Sequence, residues 1–121
     1  MGHVYINTKL ISPVTNEGVA LEALVDTGAT FTTIPLSLAE KLKLSHITRR
    51  KVRTASGEEE MAVSYLIIEI LGEKAVTEVL ISEKLDRVLI GVLTLEALAF
   101  KVDPRTGKIE KTEILLLKVK H

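Results

Sequence analysis

The chain of 121 residues contains no cysteine, which excludes disulfides, thiolate nucleophiles and Cys-ligated metals together. Its histidines, His3, His46 and His121, are too far apart to form an H-x-x-x-H pair, so no metal is expected. Glutamine is absent and Asn7 and Asn16 are the only asparagines, while Lys and Glu dominate the charges. That pattern is associated with thermophile proteins, and a heat-stable protein is expected. Net charge is missing as well, because 16 basic and 16 acidic side chains cancel, removing the long-range positive field that a nucleic-acid binder uses. The one basic cluster, "HITRRKVR" at residues 46–53, has no aromatic residue for base stacking and is followed closely by "GEEE". Two solvated segments of opposite charge explain it better than a nucleic-acid face centred on Arg49, Arg50, Lys51 and Arg53. The longest apolar runs, "YLIIEIL" and "EILLLKV", fall far short of the roughly 20 residues that cross a bilayer, so no membrane partner is expected. The opening "MGHVYINTKL" lacks the basic, apolar and small-residue regions of a secretory signal, which makes the cytoplasm the expected location.

What is present fits a single globular domain over residues 1–121, with 46% hydrophobic and 26% charged residues. "HVYINTKLI" and "VALEALV" are β-capable segments separated by the turn formers "SPVTNEG", which predicts a hairpin over residues 4–25. In "TTIPLSLAEKLKL", Ser37 and Glu40 have capping-box spacing, and Leu38, Ala39 and Leu42 share one helical face, which predicts a short helix. "KVRTA" and "MAVSYLIIEI" flank "SGEE", a hairpin whose charged tip contains Gly57. "AVTEVLIS" follows as a strand, "RVLIG" as a short buried strand ending at Gly91, and "VLTLEAL" as a second short helix. "FKVD", "PRTG" and "TEILLLKV" close the chain in β structure. The fold class expected is mainly β, with one or two short helices.

The stretch "ALVDTGATFTTIP", residues 23–35, carries the acid Asp26 directly out of a predicted buried strand into a glycine turn. One explanation is local: Asp side chains accept hydrogen bonds from the amides of their own turn. The other is chemical, and it draws on the company the loop keeps: a glycine-tipped hairpin midway, then the apolar-apolar-Gly turn "VLIG" feeding a helix.

With those motifs in that order, residues 4–104 resemble the retropepsin-like aspartic proteases, and within them the cellular, non-viral branch. "ALVDTGAT" stands as the active-site loop, "VRTASGEEEMAV" as the flap (about residues 52–63), and "RVLIGVLTLEAL" as the hydrophobic-Gly element with its helix. The resemblance implies a closed β-barrel that is half of an acid-protease fold, and an aspartic endopeptidase acting on peptide or protein without a cofactor. It makes Asp26 the catalytic residue, supported by Thr27, Gly28 and Ala29. It makes Ala55, Ser56, Gly57 and Glu58 the substrate-binding flap, and Leu89, Ile90 and Gly91 the substrate-pocket element. Glu58, Glu59 and Glu60 would favour basic substrate residues at the rim. Asp86 in "KLDRV" and Asp103 in "KVDPR" lack a Thr-Gly or Ser-Gly step, so the second carboxylate must come from another copy and a homodimer is expected. The strand-like termini would pair across its axis. Retroviral members often have an acid and an arginine where Thr30 and Val92 stand, and Asn or Asp in place of Leu93. A catalytically silent peptide-binding or dimerisation domain with the same fold is the alternative.

Overall fold

The computed structural model describes residues 4–113. The expected hairpin forms from β1 (Val4–Ile11) and β2 (Gly18–Val25), antiparallel with Val4 opposite Val25. Its loop is organised by Ser12, whose Oγ accepts from the amides of Val14 and Thr15, each at 3.2 Å. A strand that the sequence reading had not anticipated, β3 (Thr32–Pro35), then leads into α1 (Leu36–Lys41).

The capping expectation for Ser37 is corrected here. The N-cap position is Pro35, extended at φ −66° and ψ 148°, with no side-chain capping hydrogen bond. β3 pairs with its neighbour through Pro35 itself, so the chain turns from strand to helix one residue before Ser37 can cap. Ala39 and Leu42 are buried on the inward face as the spacing predicts, with Leu38 half-buried.

β4 (Thr48–Thr54) and the long β5 (Gly57–Ile70) form the second hairpin, and β6 (Glu73–Ser82) returns antiparallel along β5. β7 (Leu89–Ile90) and α2 (Val92–Ala97) follow, then a separate small hairpin of β8 (Phe100–Val102) and β9 (Ile109–Lys111). The closing segment from Ile114 onward lies outside the described residues. Among the described residues no helix is long and apolar enough to cross a membrane.

The main sheet runs β1-β2-β7-β3-β6-β5-β4, and β1 also pairs with β5. Six strands therefore close into a ring. β5 makes this possible by its length: one edge takes β6, while the other takes β4 along its first half and β1 at Ile67–Glu69. Closure pairs every strand of the ring with two neighbours over part of its length, which shortens the exposed edges, and β4 projects from it as a two-stranded arm with the start of β5. Inside, Leu10, Ile34, Leu66, Ile68, Ile70, Val79 and Ile90 are fully buried; each such aliphatic side chain contributes about 1.5–3 kcal/mol. On the other face of β5 and β6, a smaller cluster of Met61, Val63 and Leu80 packs with Phe31 and Val52. That second cluster floors the root of the arm.

Candidate active site

β7 is inserted between β2 and β3, parallel to the first (Val25 opposite Ile90) and antiparallel to the second (Thr33 opposite Leu89). Asp26 is the first residue past β2, and its amide donates to the Ile90 carbonyl at 2.9 Å. The loop that follows is pinned to α2. The Ala29 and Thr30 carbonyls accept from the amides of Val92 (2.9 Å) and Leu93 (3.0 Å), first-turn donors that have no partner within a helix. At the crossing a Cβ on Gly91 would lie 2.5 Å from the carbonyl carbon of Phe31 and 2.8 Å from the Thr30 oxygen. Only glycine fits between the two chains.

A buried hydroxyl chain backs this crossing. The Gly91 amide donates to Thr32 Oγ1 at 3.0 Å, Thr32 and Thr94 hydroxyls are 2.5 Å apart, and those of Thr94 and Thr77 are 2.9 Å apart. Thr77 donates to the Glu78 carbonyl at 3.3 Å. Because that last proton is committed, the others must run one way: Thr32 donates to Thr94, and Thr94 to Thr77. Every hydroxyl has its partner, as buried polar groups require. Thr32 and Thr94 escaped the sequence reading. A signal was there, since Thr32 alternates with the core residue Ile34 and Thr94 precedes buried Leu95, and an inward threonine needs a mate.

The Asp26 side chain is half-buried, and Oδ1 accepts from the Gly28 amide at 3.0 Å. The local explanation for an acid in this turn is therefore real, but it engages one oxygen. Among the described residues nothing else hydrogen-bonds the carboxylate, so Oδ2 is available. Thr27 is exposed beside it.

Asp26 opens into a cleft of about 570 Å³ whose opposite wall is the tip of the β4–β5 arm. The cleft brings Asp26, Gly28 and Ala29 together with Ala55, Ser56 and Leu89, residues remote in sequence. Val52, Met61 and Leu85 add apolar wall, and Arg53, Glu59 and Lys84 add charge; Val52, Arg53, Glu59 and Met61 fall within the flap expected at about residues 52–63, whereas the sequence had not marked Lys84 and Leu85. Thr27, Gly57, Glu58, Ile90 and Gly91 do not line it. Ile90 and Gly91 are buried beneath, holding Leu89 and the Asp26 loop in place. A smaller hollow of about 320 Å³, with His46, Arg49 and Glu83 on its walls, lies across the Lys84–Glu59 ion pair and reaches neither Asp26 nor the arm tip.

The arm's two-residue turn is Ala55-Ser56, tied by Thr54, whose hydroxyl donates to the Gly57 carbonyl at 2.9 Å and accepts from Ser56 N. The three glutamates behind it face cations: Glu58 pairs with Arg53, Glu59 with Lys84 and Glu60 with Arg49. Two of these pairs join the oppositely charged segments across one hairpin and the third reaches Lys84 outside it, so the acidic rim, expected to favour basic substrate residues, is already neutralised and offers little free charge. Among the described residues no three His, Cys, Asp or Glu side chains are placed to hold a metal ion.

Comparison with known proteins identifies the family and the fold. The family model described as "gag-polyprotein putative aspartyl protease" matches residues 12–97, well over half of the chain. Among solved structures, the chain is similar to the simian foamy virus (mac) protease, at 27% identity and a TM-score of 0.58, over 77% of this chain and 92% of that one. It is similar also to a retropepsin-like aspartic protease from Rickettsia conorii, at 26% identity and a TM-score of 0.59, over 84% and 77% of the two chains. A search of curated proteins finds no match. The chain belongs to this aspartyl protease family and has the retropepsin-like fold.

Proposed function

We propose that this family member is one subunit of a homodimeric aspartic endopeptidase, in which the Asp26 carboxylates of two copies activate a water for peptide-bond hydrolysis. The observation that carries the reading is the cleft that sets Asp26, with one carboxylate oxygen unbonded among the described residues, opposite the arm tip. One chain supplies one such acid. Asp86 sits beside Arg87 at 3.3 Å, Asp103 accepts from the Arg105 amide at 2.9 Å, and neither lines the cleft. An isologous dimer about the Asp26 pair completes the site.

Two carboxylates held that close share one proton, because two adjacent negative charges do not both persist. The charged member takes a proton from water as the water oxygen attacks the carbonyl carbon, and the protonated member donates to the carbonyl oxygen. Collapse of the tetrahedral diol breaks the C–N bond and the amine leaves with a proton. Thr27, exposed next to the acid, would hydrogen-bond across the dimer. Ala55, Ser56, Gly57 and Glu58 would close on an extended substrate through their backbone, excluding water. Leu89 walls the pocket, with Ile90 and Gly91 as its support. Where retroviral relatives brace this region with an acid and an arginine, Thr30 and Val92 leave the work to backbone, the Ala29 and Thr30 carbonyls on α2. The cytoplasm is the proposed location.

The test is cleavage of an unfolded protein by the purified chain, its arrest by a statine-type transition-state mimic, and its dependence on dilution. Specific activity should fall below the dimer dissociation constant. A monomer by sedimentation with undiminished activity would overturn the shared site. A dimer that binds peptide and cuts none at any pH would favour the silent binding domain.

A further inference from the structure

Among the basic residues of β4, Arg49 and Arg53 pair with glutamates of β5, the other strand of their own hairpin. Arg50 reaches further. Its Nε donates to Glu78 Oε2 at 3.0 Å and its Nη2 to Oε1 at 3.3 Å, a two-pronged pair with a carboxylate on β6 that is 19% exposed. The same guanidinium lies 5.4 Å from the centre of the Phe31 ring. Phe31 ends the Asp26 loop, and its carbonyl group is what leaves room only for glycine at position 91. Its ring packs with Met61, Val63 and Leu80, and Val52 of the arm joins the same cluster. Arg50 therefore touches the arm, β6 and the Asp26 loop at once, and Val52 and Met61 carry its placement to the cleft wall.

We infer that Arg50 is a positioning residue of the Asp26 site: by gripping Glu78 and covering Phe31 it sets the distance between the arm and the Asp26 loop. The inference rests on the protease reading for its effect on cleavage, although the clamp itself does not. Lysine cannot replace it. A guanidinium presents a planar fork to a carboxylate while stacking on an aromatic face, whereas an ammonium keeps the charge and loses both geometries.

Arg50→Lys is the discriminating variant and Arg49→Lys, one residue away and bound among the described residues only to Glu60, is its control. Hydrogen exchange read at the amides of residues 52–61 should quicken about fivefold in Arg50→Lys and stay unchanged in Arg49→Lys. Amides of Leu66 and Ile68 in the ring should not respond in either. On a peptide substrate kcat/KM should fall by about the same factor in Arg50→Lys alone, and Glu78→Gln should reproduce both changes without adding to them in the double variant. Arm exchange equal to wild type in Arg50→Lys overturns the clamp. Faster arm exchange with unaltered kcat/KM overturns the positioning role. Faster arm exchange in a chain whose wild type cuts nothing leaves the clamp standing and sinks the protease reading instead. Should Arg50→Lys fail to fold, Glu78→Gln carries the same comparison, and a uniform rise in exchange across the ring amides would mark the pair as merely structural.

Discussion

The two walls of the cleft are built on opposite principles. The Asp26 wall is held by neutral groups with no room to spare: a glycine against backbone, three buried threonine hydroxyls in series and loop carbonyls on helix amides. Beyond the Arg50–Glu78 clamp and the Met61 cluster at its root, the arm wall is held by charge at the surface, with the Arg49–Glu60 and Arg53–Glu58 partners all at least half exposed. Buried hydroxyl networks are costly to break because the orphaned group has no water to turn to, while exposed ion pairs contribute about 0–1 kcal/mol each. The contrast assigns the roles. On the proposed reading, the acid whose position would decide the reaction sits on the side that cannot shift, and the part that would admit and release a chain sits on the side that can.

The largest effect should come from the fixed wall's chemistry. Asp26→Asn keeps the shape and the acceptor that receives the Gly28 amide, so fold and dimer should survive while cleavage drops by at least about 10²–10⁴-fold. In the wild type, one carboxylate acting as acid and its partner as base should give a bell-shaped pH–rate profile on a peptide. A pH profile that climbs steadily through about pH 9, or an Asn variant as active as wild type, would end the dyad.

Next in size are the glycines, which separate the walls by cause. Gly91→Ala places a methyl 2.5 Å from backbone that is itself pinned, and about 3 kcal/mol of stability should be lost. Gly57→Ala meets nothing within 4 Å, but its φ of +120° is foreign to alanine; at an exposed hairpin that can adjust, about 1 kcal/mol is expected. Urea midpoints at unchanged slope measure both. Equal losses would erase the distinction between a wall that cannot shift and one that can.

How far these walls could be read in advance follows from what each is made of. Local patterns were visible: the β-capable runs and turn formers of β1 and β2, the acid at a strand end, the apolar-apolar-Gly turn and the charged hairpin. β3 was not, because "TTIP" is four residues ending in proline and its partners are β6 and β7, far along the chain. Ring closure through Leu10 and Ile68 is likewise a non-local pairing with no short-range signature. The threonine chain joins residues 32, 77 and 94, each unremarkable alone. The acidic tip was misjudged in consequence for the same reason: "GEEE" reads as free charge until the register sets Arg53 opposite Glu58.

Thr94→Val should come third. The substitution keeps the volume, leaves the Thr32 hydroxyl without its acceptor and deprives Thr77 of a donor, so about 1–3 kcal/mol should be lost. Thr94→Ser, which restores the hydroxyl, should recover most of that in the same denaturation assay. If Val and Ser behave alike, the network is packing in disguise and the fixed wall is fixed by shape alone.

The smallest effect belongs to the arm. Glu60→Gln removes the partner of Arg49, a pair whose two side chains are 54% and 53% exposed, and should shift stability by less than about 1 kcal/mol at 25 °C. Salt sharpens the point, since at about 1 M the Debye length shrinks to roughly 3 Å and wild type and variant should converge. Heat should do the reverse. The desolvation penalty of charged groups falls as temperature rises, so networks such as the arm's count for more near the melting point, which is where a chain poor in Asn and Gln and rich in Lys and Glu would need them. Melting curves of wild type and Glu60→Gln at low and high salt test this directly. A gap that persists undiminished in high salt would mean that the arm, too, is held by fit rather than by charge, and the two walls would be alike after all.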